Sequence, residues 1–590
     1  MINIISGIPV LLAILGARLE ILSIFYIMLA LLILGSWIAF KINLNKYIWL
    51  YSFGLSLLLA SSLIGESVIG TDIHGELYYA WLTYSNGFWN INVPWEYNTS
   101  ISTVVLFPFL SWILNIPLEW IFKTLPFITL AFLGPLSYYL YKSIIDIKVA
   151  YTSSLFLLIM PTFFTELVGI AKQSIAEPFI FIFFIILLLW NSKWKYLLLF
   201  LTFTIVLITH YSSTLILLGY FGVYIVLSLI KDWKSQHNKK LVGVLIIMML
   251  ASITYWGTIA QGKVLNNVLA IFRLQTQTTV TAIQQTLPQT IEPTTNTTIA
   301  SLNITKTLDN IEQPREVQDP EKAPFEYLNS QEQLVRIALG LDFLEKDLLS
   351  KVFRILQFLT QLLFLVGIWI WLRDKHKRNS KYSYLIVGGV CLIGAVIFLP
   401  GFSAFMNASR FYHCTLLICS PLIVLGGIWI LRKLWIVGVI FSIYFLFTSG
   451  SIFEISKVPN TGDITIPWSN FLSYQRLETT VKATKCDLIV RDEIVKRQIS
   501  MVSGDHWGQI LLIERLGDKA KVFPWNFKEV SKESYLYFRE ENIRSNSITR
   551  WRGIGLRDRL FMNPEVLENR EIIYRCGNSI VFGPQIENTN

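Results

Sequence analysis

Charge is scarce in this chain. Of its 590 residues only 15% are charged and 53% are hydrophobic, and the mean hydropathy is +0.52. A soluble globular chain carries about 25% charged residues, so that class is excluded. Cysteine is sparse too. The five present are dispersed with no paired C-x-x-C, which removes a thiolate metal site. There is no G-x-x-x-x-G-K-[ST] loop to cradle a nucleotide, which argues against ATP-driven transport, and no G-x-S-x-G nucleophile elbow. The opening stretch "MINIISGIPVLLAILGAR" lacks a basic region before its apolar part, so a cleaved signal peptide is not expected; residues 1–17 read as a short extra span or an interfacial segment. Alternating apolar patterning is missing as well, which excludes a closed membrane barrel.

What is abundant is the continuous apolar run. A helix needs roughly 20 apolar residues to cross the hydrocarbon, and the chain reads as an α-helical polytopic membrane protein with about 12 transmembrane helices. The expected spans are 20–42, 47–64, 124–141, 149–165, 173–191, 196–209, 211–230, 241–257, 352–372, 383–400, 411–431 and 434–452. The formal charge of +10 does not indicate nucleic acid, because its densest clusters, "KDWKSQHNKK" (231–240) and "RDKHKRNSK" (373–381), sit in short loops without interleaved aromatics. They are topology signals for the cytoplasmic side of a cell membrane, and Lys41, Lys46, Lys142, Lys148, Lys193, Lys195, Arg432 and Lys433 fall on the same side.

One apolar segment breaks the alternation. "ISTVVLFPFLSWILNIPLEW" (101–120) contains Pro108 and Pro117, and a crossing there would put Lys142 and Lys148 outside. It reads as an interfacial or re-entrant helix with Trp112 and Trp120 at headgroup level, inside an outer loop over 65–123. A second outer loop covers 258–351. Its part "QTQTTVTAIQQTLPQTIEPTTNTTIASLNITKT" is Thr/Gln-rich and reads as flexible, with sequons beginning at Asn296 and Asn303; "FEYLNSQEQLVRIALGLDFLEKDLLSKVFRIL" regains helical periodicity. The transmembrane part is therefore 1–452. Beyond it, 453–590 reads as a small soluble α/β outer domain, with "CDLIVRDEIV", "GQILLIERL" and "REIIYRCGNSIVFG" as strands. Its only cysteines, Cys486 and Cys576, would either form a disulfide or remain reduced in a core; Cys391, Cys414 and Cys419 read as packing residues.

Polar groups collect at the outer ends of the expected helices. "GTDIHGEL" (70–77) places Asp72, His74 and Glu76 two apart. In an extended segment all three share a side; in a helix Asp72 and Glu76 share a face and His74 does not. An aspartate there suits a general base, the trio suits a divalent cation such as Mg or Mn, and the plain alternative is that Asp72 caps a helix from Ile73 to Gly87. "TELVGIAKQSIAE" adds Glu166 and Lys172, and "ITHYSS" adds His210 and Tyr211, a histidine that equally suits helix packing. "MNASRFYHC" sets Arg410 and His413 one turn apart. Arg410 suits a phosphate clamp or simple snorkelling to headgroups.

These residues resemble a known layout. "GTDIHGELYYAW", "YNTSISTVVLFPFLSWIL" and "LPFITLAFLGPLSYYLY" follow the order of the GT-C superfamily, integral-membrane glycosyltransferases that use polyprenyl-phosphate-linked sugars. "GTDIHGE", "AKQSIAEPF", "THYSS" and "SRFYHCTLLICSPLIVLGG" are similar to segments of archaeal multi-pass proteins placed near that superfamily, over most of the chain. The resemblance implies a GT-C-like fold and an acidic first-loop residue at Asp72 as base or metal ligand. It makes Lys172, His210 and Arg410 candidates to hold the lipid phosphate; from the residues themselves, Glu76 is a second catalytic candidate and His74, Tyr211 and His413 are candidates for substrate binding. The D-x-H-x-E motif and the missing WWD-type signature depart from the oligosaccharyltransferase pattern. A monosaccharide transferase is the expectation, with a polyprenyl-phosphate-linked sugar as donor and a glycan, lipid or protein as acceptor. A transporter or flippase, poorly served by helices with so little charge, and a non-catalytic scaffold are the alternatives.

Overall fold

The structure is a computed structural model. It describes residues 6–42, 45–93, 96–262, 264, 266, 343, 347–398, 408–457, 471–472, 482–499, 501–523, 531–545, 547–551, 557–561, 567 and 569–585. The Thr/Gln-rich stretch with Asn296 and Asn303 lies outside the described residues.

Helix follows wherever the apolar runs were read, because a backbone in hydrocarbon must satisfy its own hydrogen bonds. In chain order the first half holds α1 (Ile8–Leu19), α2 (Leu22–Lys41), α3 (Lys46–Ser62), α4 (Asp72–Asn86), α5 (Phe107–Leu114), α6 (Leu118–Leu130), α7 (Leu133–Lys142) and α8 (Ile147–Leu158). It continues with α9 (Ala171–Leu189), α10 (Lys195–Thr209), α11 (Tyr211–Lys231) and α12 (Gln236–Thr258). The second half holds α13 (Leu348–Arg373), α14 (Lys381–Phe398), α15 (Ala408–Leu431), α16 (Leu434–Thr448) and α17 (Ser451–Ile455). Short polar side chains start several of them: Asn45 accepts from the Tyr47 and Ile48 amides, Asp146 from Lys148 and Val149, and Asp347 from Ser350.

The protein is a multi-pass membrane protein, but twelve full-length crossings are not what the helices supply. Among the described residues seven are long and apolar enough to cross, or eight if the pair Ile147–Leu158 and Thr162–Gly169, bent by 48°, is one span. Each expected span overlaps a helix, though 124–141 covers parts of α6 and α7 and 149–165 breaks after α8. Several are short: α10 and α16 have 15 residues, about 22 Å at 1.5 Å per residue against a hydrocarbon core of about 30 Å. The expected span 124–141 begins earlier, at Leu118, since Pro117 stands at the helix N-cap rather than inside it. Residues 101–114 form a π-turn (Ser102–Leu106) running into α5, too short to cross. The N-terminal segment contributes α1, 12 residues long.

Close helix crossings rest on small residues. A Cβ on Gly367 would lie 1.9 Å from the Leu422 carbonyl oxygen, and one on Gly426 would lie 2.0 Å from that of Leu363. These two glycines let α13 and α15 meet backbone to backbone.

The C-terminal domain is α/β, with one correction to its reading. "CDLIVRDEIV" and "GQILLIERL" are not strands but α18 (Lys485–Lys496) and α19 (His506–Leu516). Thr484 and Asp487 form a capping box at the first, and Asp505 caps the Gly508 amide at the second. Buried Asp487, Val490, Arg491 and Ile494 then recur at helical spacing, as do Trp507, Ile510, Leu511 and Glu514. The strands are β1 (Val502–Gly504), β2 (Ala520–Val522), β3 (Tyr535–Phe538), β4 (Ser547–Trp551), β5 (Arg557–Phe561), β6 (Arg570–Cys576) and β7 (Ser579–Gln585), with α20 (Glu540–Ser545) after β3. A five-stranded sheet runs β2-β1-β3-β7-β6, parallel at β2-β1-β3 and antiparallel at β3-β7-β6, while β4 and β5 pair apart. Cys486 on α18 and Cys576 on β6 are joined as a disulfide.

Candidate functional site

The site is built on α4, and the chain enters that helix through a tight contact. Gly70 has φ +128°, a conformation for glycine, and a Cβ there would sit 2.2 Å from the Cα of Gly169. This presses the start of α4 against the start of α9. Asp72 is the first residue of α4, with Thr71 as N-cap and no side-chain capping bond at that end. The N-cap position thus falls to Thr71, while Asp72 stands in the first turn, where its charge suits the helix N-terminus.

The Asp72 carboxylate points to Arg410. Both terminal nitrogens of the guanidinium donate to Asp72 Oδ2 at 3.4 Å, and the two side chains are 27% and 18% exposed. One turn on, Glu76 is fully buried. Its Oε2 accepts the Lys172 backbone amide at 3.0 Å, while Oε1 has no hydrogen-bond partner among the described residues. Burial, reinforced by Asp72 and opposed by Lys172 and Arg410, lifts the Glu76 carboxyl from 4.5 to about 7. The Lys172 ammonium lies 3.9 Å from the Tyr97 ring centroid and 5.8 Å from that of Tyr211. His210 sits at the break between α10 and α11, its Nδ1 2.7 Å from Ser213 Oγ and its ring 5.6 Å from Tyr211. Burial, with the Lys172 and Arg410 charges, pushes its imidazole well below the ordinary value. Asp72, Glu76, Lys172, His210, Tyr211 and Arg410 thus come together from α4, α9, α11 and α15. Chemically this is a carboxylate at a partly open edge, backed by a buried carboxyl and two fixed cations.

His413 and His74 are not in that cluster's polar surface. His413 lies one turn below Arg410, buried, with Nε2 3.0 Å from Glu177 Oε2 and Nδ1 2.8 Å from Thr162 Oγ1; Gln173 donates to Glu177 Oε1 at 3.0 Å. It braces α15 against α9 and the π-turn at Thr162–Glu166. Ser409 makes a second brace, donating to Glu166 Oε2 at 2.8 Å. His74 leaves α4 on the opposite face, where its Nδ1 lies 2.6 Å from Glu514 Oε1 of the C-terminal domain. Arg491 donates to the other oxygen of Glu514 and Ser67 to the same one. Burial alone would raise Glu514, but Arg491 and then His74 bring it down to about 2.

The Asp72, His74 and Glu76 metal reading is corrected by this split, since a helix directs His74 away from the other two. Among the described residues no three His, Cys, Asp or Glu side chains converge to hold an ion. Asp72 is taken by Arg410 and Glu76 by a backbone amide, so the donors do not fit a Mg or Mn site and no step is routed through one.

Sequence reasoning missed Tyr97, Glu177, Glu514 and Arg491. Glu177 carried a usable signal, a carboxylate inside an apolar run. Tyr97 carried none. Glu514 and Arg491 lay in segments misread as strands, which hid that both fall on buried helix faces.

The fold and its apolar helices define a multi-pass membrane protein of two parts, a helical membrane region and a small α/β domain. A family model described as "Predicted membrane protein (DUF2206)" matches residues 341–582, from the entry into α13 to the last strand. No curated protein matches the chain.

Proposed function

We propose that this protein is a GT-C-type glycosyltransferase that moves a sugar from a polyprenyl-phosphate-linked donor to an acceptor hydroxyl on a glycan, lipid or protein. The single observation that carries the reading is the Asp72–Arg410 pair at a partly open edge, with Lys172 buried beside it. In this reading the expected twelve helices cross or dip into the cell membrane with their basic loops inside. The site and the C-terminal domain then lie outside the cytoplasm, a side on which a Cys486–Cys576 disulfide persists.

The acceptor oxygen attacks the anomeric carbon as its proton passes to Asp72. The bond from that carbon to the donor phosphate breaks, and the polyprenyl phosphate leaves with the electron pair. Arg410 exchanges Asp72 for the phosphate, to which its planar fork presents two parallel N–H groups, and Lys172 adds a second positive charge where negative charge grows. Direct displacement inverts the anomeric centre. Tyr97 and Tyr211 flank Lys172 and offer aromatic faces to a sugar ring. Purified protein in lipid nanodiscs, given radiolabelled polyprenyl-phosphate sugars, tests the reading. Asp72→Asn should lower turnover at least about 100-fold, the usual worth of a general base, and unchanged turnover would remove Asp72 from that role.

A further inference from the structure

α4 has two working faces. Asp72, Glu76, Tyr79 and Thr83 recur at i, i+4, i+7 and i+11, and the first two of these carry the site. His74, Tyr78 and Trp81 recur at i, i+4 and i+7 on another face. That second face is where the C-terminal domain docks. α19 packs along α4, and its Glu514 meets His74, a contact closed on both sides to solvent. Arg515 stands 5.3 Å over the Trp81 ring and pairs with Glu119 of α6. Gly517, just past the end of α19, fits against Tyr78 so closely that a Cβ would lie 2.5 Å from its ring.

Glu514 is the centre of this contact. One buried carboxylate receives Ser67 from the approach to α4, His74 from α4 itself and Arg491 from α18. A fully buried carboxylate is unfavourable unless its lone pairs are met, so the contact is geometrically demanding in a way an apolar patch is not. It sits two residues along α4 from each of Asp72 and Glu76. A rigid helix transmits any rotation at His74 directly to both.

We infer that the C-terminal domain sets the orientation of α4, and that Glu514 and His74 are positioning residues for the Asp72 and Glu76 face. The inference rests on the proposed function for its catalytic consequence but not for its structural one. Arg410 and Lys172, which would hold the donor, stand on α15 and α9, outside the helix that Glu514 steers. Loss of Glu514 therefore misplaces the base without loosening the donor clamp. In kinetic terms kcat falls and the donor KM stays.

The test uses the full chain in nanodiscs, with Glu514→Gln and the charge-keeping Glu514→Asp. Amide hydrogen exchange is followed over residues 72–86, with β3 and β7 as an internal reference for the domain's fold. Exchange over 72–86 should accelerate at least about tenfold in Glu514→Gln, corresponding to at least about 1.4 kcal/mol of lost local protection, with β3 and β7 unchanged and partial recovery in Glu514→Asp. Where transfer is measurable, kcat should fall about tenfold or more at constant donor KM. If Glu514→Gln does not express, His74→Leu removes the same contact from the α4 side and leaves the Arg491–Glu514 pair in place. Unchanged exchange over 72–86, or equal loosening of β3 and β7, would overturn the inference. A wild-type protein with no transfer activity would sink the proposed function alone, since the exchange result still decides whether the domain holds α4.

Discussion

Glu76→Gln is the substitution whose outcome the structure constrains most. Glu76, fully buried, uses one oxygen to accept the Lys172 amide and leaves the other without a hydrogen-bond partner among the described residues. A glutamine keeps the accepting oxygen and puts its amide nitrogen where the idle oxygen was. The wild-type carboxyl is lifted from 4.5 to about 7 by burial, and less so by Asp72. The sign follows: between pH 4.5 and 7 the folded protein holds a proton that the unfolded chain has released, so stability falls as pH rises through that window and levels off above it. The interval of about 2.5 pH units, at 1.36 kcal/mol each, is worth about 3 kcal/mol. Glu76→Gln escapes this cost. In detergent, its melting temperature by intrinsic tryptophan fluorescence should match wild type near pH 4.5, exceed it progressively to pH 7, and stay above it at pH 8 to 9. A variant that melts below wild type by the same amount at pH 5 and pH 9 would refute the reasoning, because Glu76 would then carry no pH-dependent cost.

Three further outcomes follow from the geometry. Gly70→Ala should cost about 2–4 kcal/mol, combining a left-handed backbone position with a clash against Gly169, read as a lower melting temperature, whereas Gly87→Ala, where a Cβ meets nothing within 4 Å, should cost less. Arg410→Lys keeps the charge but loses the planar fork, so kcat/KM for a polyprenyl-phosphate sugar should drop about 10- to 100-fold, with a retained value counting against the clamp. Cys576→Ser opens the link to Cys486 across a separation of 90 residues and should destabilise the C-terminal domain by about 2–5 kcal/mol. An impermeant maleimide added to intact cells should then label Cys486 in that variant but neither cysteine in wild type, and labelling of both in wild type would argue against the disulfide.

Helices in the membrane part were legible because their signal is local: a run of apolar residues bounded by lysines forms a helix whatever it packs against. How many cross was less so. The span expected at 196–209 is no longer than α10, so that run was legible as a short helix, whereas the one expected at 434–452 ran past Ser449–Gly450, where α16 has already ended. In the soluble domain the local signal misled. "CDLIVRDEIV" and "GQILLIERL" are short and apolar enough for strands, and what decides them is the capping by the pair Thr484 and Asp487 in the first case and by Asp505 in the second, with Thr484 and Asp505 lying outside the quoted runs.

The site shows the same division more sharply. Lys172 and Arg410 belong beside Asp72 by one rule that the sequence does carry, namely that charge at the ends of apolar runs must find hydration or a partner. That rule names the members of a cluster without naming their pairing. Asp72, His74 and Glu76 are equally close in the chain, and only the hand of the helix sorts them, two toward Arg410 and Lys172 and one toward Glu514, which is 440 residues away in sequence. The cue at the far end was a Glu-Arg dipeptide closing "GQILLIERL", a charge pair in an otherwise apolar run. Had the segment been read as a helix, Glu514 would have fallen on the buried stripe with Trp507, Ile510 and Leu511, and a buried carboxylate demands a partner. His74, a histidine on the wrong face of α4 to join the site, was then the natural residue to seek it.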